Sequence, residues 1–318
     1  MINHRTIWRI AIIGTLILSS CSFPIFNNRP TDPESLTGIP TADSGLPTST
    51  ATLAPTPTPT PEARIDSGDL AILEGDTERA RAEYRSGSLD TQDIEIQAAA
   101  LLGIGRSYIM DREYEMAIEN LNALIFEHPA NRSVANAYYF LAQAHLAKEE
   151  FSLAADAFAK YVELNPGIID EFIQEERGDA LQAAGDFTGA IAAYEAAVAA
   201  SSGGTGSLRL KIGQAYAASS DHSNAVRVYL DVLETGDNDF QKAQANLLAC
   251  QSYLTLGFPE QAYARYLDSV TRFPTAYDSY SGLVTLVNAG IPVSDLDRGI
   301  VDYYAGQYGY ASEALQRF

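Results

Sequence analysis

The chain of 318 residues is 46% hydrophobic and 19% charged, with 41 acidic against 21 basic residues and a formal net charge of −20. That apolar fraction supplies a sizeable core and excludes a wholly disordered chain. The acidic excess repels a phosphate backbone and excludes nucleic acid as a partner. Two cysteines and four histidines are too few for a disulfide framework or a multi-ligand zinc site, so neither a metal nor an organic cofactor is expected.

The first element, residues 1–20, reads as an export signal. His4, Arg5 and Arg9 flank the start of an apolar run from Ile10 to Leu18, far short of the ~20 residues a membrane-spanning helix needs. It closes in Leu18-Ser19-Ser20-Cys21, which resembles the bacterial lipobox. The resemblance implies cleavage before Cys21, acylation of its sulfur and a lipid-anchored protein on a periplasmic or extracellular face. Two or three acyl chains hold a bilayer firmly where one does not. Cleavage leaves 19 basic and 41 acidic residues. It also leaves Cys250 without an intramolecular partner, which is expected to act as a small buried apolar residue.

Residues 21–61 read as a tether, since nine of the 14 prolines lie here, ending in Ala54-Pro55-Thr56-Pro57-Thr58-Pro59-Thr60-Pro61. Proline fixes φ and has no amide donor, so the segment is expected to be disordered and rich in polyproline II, reaching on the order of 120 Å at ~3.1 Å per residue.

Past Glu62 a pattern recurs. Ala80, Ala117, Ala154, Ala190, Ala225 and Ala262 are spaced by 37, 37, 36, 35 and 37 residues, and four positions after each comes Tyr84, Leu121, Phe158, Tyr194, Tyr229 or Tyr266. Positions i and i+4 share a helix face, and a period in the thirties marks an array of helical hairpins. Upstream of the alanines stand Leu101, Ile104, Gly105 and Tyr108, then Tyr138, Leu141, Ala142 and His145, then Gly178 and Leu181, Ile212, Gly213 and Tyr216, and Cys250 and Tyr253. Pro129, Pro166 and Pro274 each follow an alanine by twelve residues, where a second helix stops. Pro259 is expected in a hairpin turn and Pro292 at a first helical position.

On these residues the chain resembles the tetratricopeptide-repeat family, most specifically over residues 98–166. The resemblance implies an all-α, right-handed superhelical solenoid of about six repeats over residues 62–274. Residues 275–318 depart from it: the next alanine, Ala311, lies 49 residues after Ala262, which leaves room for an extra helix at about Tyr277 to Asn288 ahead of an incomplete final repeat. Because natural arrays end in a polar capping helix, the stop at Phe318 inside that repeat carries the expectation of a longer protein.

No catalytic constellation is evident. His128, His145 and His222 have no metal-ligand spacing. Gly203-Gly204-Thr205-Gly206 reads as a linker between repeats, and Asp237-Asn238-Asp239 as a helix cap. What remains is binding. The resemblance places the first helices on the concave face, where the ninth-position residues are Arg106, Gln143, Asp179, Gln214 and Gln251, with Asn136, Tyr139, Gln182 and Gln244 beside them. Amides donate and accept, so such a ladder suits an extended peptide or a glycan. The expected function is a lipid-anchored envelope scaffold for a protein partner. A second reading follows from resemblance to the helical forepart of envelope lytic transglycosylases, with peptidoglycan as substrate and a catalytic domain beyond Phe318. A third, resemblance to outer-membrane assembly lipoproteins, rests on Ala130 to Pro166.

Overall fold

The computed structural model describes residues 58–318 apart from Asp90 and Ile168. The expected signal segment, Cys21 and most of the tether lie outside the described residues. Among the described residues there are fifteen helices and no strand. Six antiparallel hairpins come first: α1 (Pro61–Glu74) with α2 (Thr77–Leu89), α3 (Ile94–Met110) with α4 (Tyr114–Glu127), α5 (Ser133–Ala147) with α6 (Phe151–Leu164), α7 (Asp170–Ala184) with α8 (Phe187–Ala200), α9 (Gly206–Ala218) with α10 (His222–Thr235), and α11 (Asp239–Thr255) with α12 (Pro259–Arg272). A single helix α13 (Tyr277–Asn288) follows, then a seventh hairpin of α14 (Asp295–Tyr304) and α15 (Tyr308–Arg317).

Each hairpin closes on a small residue facing a large one. The six aligned alanines are all 0% exposed, and the side chains four positions later are at most 3% exposed. Those large side chains lie on the small residue of the first helix. Tyr84 covers Gly68, Leu121 covers Gly105, Tyr194 covers Gly178 and Tyr229 covers Gly213, in each case so closely that a Cβ on the glycine would collide with it. In the sixth hairpin Cys250 takes the small-residue place, fully buried, with its Sγ 3.2 Å from the Ala262 carbonyl oxygen. Burial pushes its thiol well above the usual range, so it packs as an apolar residue.

The same large side chains lock successive hairpins together. The Tyr84 ring also covers Gly103 of α3, and the Tyr266 ring covers Gly282 of α13. Thus α13, at the bounds the sequence led us to expect, occupies the place of a seventh first helix but has no second helix of its own. One buried cluster shows how the seam runs onward, joining Leu121 and Leu124 of α4, Leu141 of α5, Phe158 of α6 and Ile173 of α7. Each hairpin packs on its neighbours, which is the arrangement of a solenoid.

Turns within the hairpins share one geometry. A residue in the left-handed region is followed by an amide that donates to the carbonyl five residues back, as from Glu113 to Tyr108, Glu150 to His145 and Asp221 to Tyr216, each at 2.9 Å. Glycine fills the left-handed place at Gly75, Gly185 and Gly257, but Arg112, Glu149 and Ser220 fill it in the other three hairpins of the array. A side chain there costs roughly 1 kcal/mol, so the packing on either side holds these turns.

The structure differs from the sequence reading in three places. Thr60 accepts from the Ala63 amide as N-cap and Pro61 is the first helical residue, so the array begins one residue before Glu62 and the end of the Thr/Pro run caps it. Pro259, expected in a turn, occupies the first position of α12, while Pro292 lies in the link before α14, which Ser294 caps. Proline needs no amide partner in a first turn, so the Gly257-Phe258 turn ends one residue earlier than expected. Pro129, Pro166 and Pro274 do follow second helices, and Asn238 caps α11 as expected.

Replacing Gly178 by valine drives a branched side chain into the fully buried Tyr194 ring and is expected to cost at least ~2 kcal/mol. Gly203, with nothing within 4 Å of its Cβ position, should accept valine within about 0.5 kcal/mol. Urea unfolding followed by far-UV circular dichroism checks both values.

Candidate functional site

The first helices of successive hairpins stand side by side, with α1 against α3, α3 against α5, α9 against α11 and α11 against α13. All nine residues singled out from the sequence lie on first helices: Arg106 on α3, Asn136, Tyr139 and Gln143 on α5, Asp179 and Gln182 on α7, Gln214 on α9, and Gln244 and Gln251 on α11. Asn136, Asp179 and Gln251 are exposed and the other six are half-buried.

Two of the nine are held by ion pairs that bridge adjacent hairpins. Arg106 Nη1 lies 3.8 Å from Asp69 of α1, and its guanidinium stands 5.6 Å from the Phe140 ring centroid. Lys211 of α9 reaches back to α7, with its Nζ 2.7 Å from Glu175 and 2.7 Å from Asp179. Burial works against the Lys211 ammonium, but its hydrogen bonds to Asp179 and Glu175 outweigh that and hold its pKa above the ordinary value. Tyr139 is a packing residue. Its ring meets those of Phe140 at 5.3 Å, Tyr161 at 5.8 Å and Phe158 at 6.3 Å.

A shared device underlies both ion pairs. The Tyr84 hydroxyl donates to Asp69 Oδ1 at 2.8 Å and the Tyr194 hydroxyl donates to Asp179 Oδ1 at 2.7 Å. In each case the aspartate directly follows the glycine that the tyrosine ring covers. The carboxylate therefore joins its own second helix to a cation on the next first helix. Burial, then the aspartate hydrogen bond, pushes both phenols far above the usual range.

The fifth hairpin breaks this pattern. Tyr229 lies on Gly213 as Tyr194 lies on Gly178, but Gln214 follows the glycine. Among the described residues the Tyr229 hydroxyl has no hydrogen-bond partner, and burial alone raises its pKa. Here the surface opens into a cleft of ≈ 280 Å³ between α9, the start of α10 and α11, which brings Gln214 and Gln251 together beside Tyr229 and His222. Elsewhere on the amide ladder, Gln182 accepts from the Tyr194 hydroxyl at 3.4 Å.

The sequence reading did not single out Asp69, Glu175, Lys211, Tyr229 or His222 as site residues. An aspartate after the glycine and fifteen residues before a tyrosine, as in Asp69 with Tyr84 and Asp179 with Tyr194, was the one signal present. Among the described residues no three His, Cys, Asp or Glu side chains gather in a group able to hold a metal. No helix among them is long and apolar enough to cross a membrane.

The tetratricopeptide-repeat family profile matches residues 102–167 and 175–246. No curated protein sequence matches the chain. Similar solved structures include a crystal structure of MamA, 26% identical over 53% of this chain and 93% of that one with a TM-score of 0.42. MamA of MSR-1 is 20% identical over 60% and 98% with a TM-score of 0.43. PilF of Pseudomonas aeruginosa is 14% identical over 71% and 97% with a TM-score of 0.42.

Removing the Tyr194 hydroxyl as Tyr194→Phe takes a charged acceptor's partner away and should cost about 1 kcal/mol. Tyr229→Phe removes a hydroxyl that bonds nothing and should change stability by less than about 0.5 kcal/mol. Parallel urea titrations of the two variants check the difference.

Proposed function

From the premise that this chain is a tetratricopeptide-repeat protein, we propose that its row of first helices holds an extended segment of a partner protein. Tetratricopeptide arrays are scaffolds for protein–protein interaction, and one observation carries the reading to these residues. Lys211 of α9 reaches Glu175 and Asp179 of α7, and Gln214 of α9 lines one cleft with Gln251 of α11, so polar first-helix residues follow one another from the fourth hairpin to the sixth. An extended peptide presents a regular series of amide donors and acceptors, which side-chain amides match in either sense. The acidic excess of the chain favours a neutral or basic segment.

We further propose that the scaffold works at the cell envelope, anchored through acylated Cys21 and set off from the lipid by residues 22–60. Support comes from the lipobox-like Leu18-Ser19-Ser20-Cys21 after its short apolar run. Peptidoglycan binding, as the forepart of a lytic transglycosylase, is the second reading. Favouring it are α13 standing alone off the repeat and the exposed Tyr303, Tyr304, Tyr308 and Tyr310 around the last hairpin, whose rings are of a kind that stack on sugars.

A photo-crosslinking residue placed at Gln143 or Gln182 is expected to capture one protein, and the same residue at Met116 or Leu153 on the second helices is not. Equal capture from both sets would overturn the scaffold reading. For the anchor, labelled palmitate should enter the full chain in bacteria and be lost entirely in Cys21→Ser. Equal labelling of the two would remove the envelope proposal while leaving the scaffold untouched.

A further inference from the structure

The cleft of the fifth hairpin is the place where the repeat's own hydrogen bonding is left open. In the first and fourth hairpins the core tyrosine spends its hydroxyl on an aspartate of the same unit, at 2.8 Å and 2.7 Å. In the fifth, Gln214 stands where that aspartate would be and the Tyr229 hydroxyl is unpaired among the described residues. A second unpaired group borders the same cleft. His222 Nδ1 is buried and has no hydrogen-bond partner. From α11 come Ser252, Gln251 and Thr255, whose hydroxyl donates to the Gln251 carbonyl at 3.0 Å, while Gln214 lines the cleft from α9 and Ala217 and Leu248 add apolar wall. A buried polar group without a partner is costly, and His222 Nδ1 beside an unpaired phenol hydroxyl, framed by neutral donors and acceptors, describes a seat for a guest that supplies both.

We propose that this cleft is a specificity pocket for the carboxamide side chain of an asparagine or glutamine in the extended partner segment. The inference rests on the scaffold reading and gives it a recognition rule. At ≈ 280 Å³ the cleft stands at the lower edge of the ~300–1,000 Å³ of ordinary ligand sites and has room for one side chain. Chemistry selects among side chains. No lysine or arginine lines the cleft and the chain is strongly acidic, so a carboxylate meets neither a counter-charge nor a favourable field. No aspartate or glutamate lines it either, so a desolvated ammonium finds no partner there. An apolar side chain would leave Tyr229, His222 and both glutamines unpaired, a loss that polar sites discriminate against strongly. A carboxamide offers two donors and an acceptor to hydroxyl, imidazole and amide groups that supply the converse.

The test uses the full chain uniformly isotope-labelled, so that both the His222 ring and the backbone amides are read, and blocked heptapeptides of alanine and serine carrying one central residue. Central glutamine or asparagine is expected to shift the His222 ring signals saturably at peptide concentrations up to about 10 mM, at least about fivefold more tightly than glutamate, lysine or leucine. The double variant Gln214→Ala, Gln251→Ala should abolish the shift, and Tyr229→Phe should weaken it by about threefold with unchanged circular dichroism. A leucine or glutamate peptide that moves His222 equally well overturns the proposal. So does a glutamine peptide that leaves His222 unmoved: if backbone signals around Gln143 and Gln182 still shift, the groove stands and only the pocket falls, and if nothing shifts the pocket falls together with support for the groove.

Discussion

Everything in this molecule depends on a side chain of a second helix lying flat on a residue too small to hold it off. Where Tyr84, Tyr194 or Tyr229 covers a glycine, no Cβ can be added without displacing the ring, so the ring rests directly against the backbone of the first helix. Alanine on the second helix, fully buried in all six hairpins of the array, provides the same closeness from the other side. The interaction is short-ranged and repeats every 35 to 37 residues, so the chain needs no central core. It builds a seam and passes it from one hairpin to the next. At α13 the seam continues through Gly282 beneath Tyr266 even though the usual second helix is missing, which shows that the lock between hairpins operates independently of the hairpin itself.

Packing and surface chemistry are thereby made inseparable. A tyrosine ring on a glycine carries its hydroxyl to the edge of the seam, next to the residue that follows the glycine. When that residue is aspartate the hydroxyl has a charged acceptor, and the carboxylate then attracts a cation on the next first helix, as Asp69 does with Arg106 and Asp179 with Lys211. Such pairs are half-exposed and contribute modestly to stability, but they neutralise the polar face locally and occupy it. When the residue is glutamine the chain of partners stops and the face opens. One change of residue type after a glycine therefore converts a structural joint into a vacancy.

Much of this fold was legible because its determinants are local. The alanines and their neighbours at i+4 fall within one helix turn of each other, so the interval of 35 to 37 residues, the hairpin count and the bounds of α13 follow from spacing alone. Proline was read correctly where it ends a helix and misplaced by a residue or more at Pro259 and Pro292, because its fixed φ suits a turn and a first helical position equally well. Arg112, Glu149 and Ser220 gave no sign of the left-handed turns they occupy, since tertiary packing imposes that backbone and local preference does not.

The candidate site was less legible for the opposite reason. Tyr139 shares a sequence position class with groove residues, and only its contacts with Phe140, Phe158 and Tyr161, drawn from two helices, assign it to packing. Lys211 meets Asp179 across 32 residues, and Gln214 and Gln251 line one cleft from adjacent repeats; neither arrangement is encoded within one helix. What the sequence does carry is the exception to its own rule, a glutamine where the first and fourth hairpins place aspartate. In a solenoid each unit answers mainly to its neighbours, so such an exception is not compensated elsewhere in the chain. Its unpaired groups stay beside the cleft between two hairpins, and a segment that satisfied them would tie α9 to α11 through its own hydrogen bonds, strengthening the same interface that shaped the cleft.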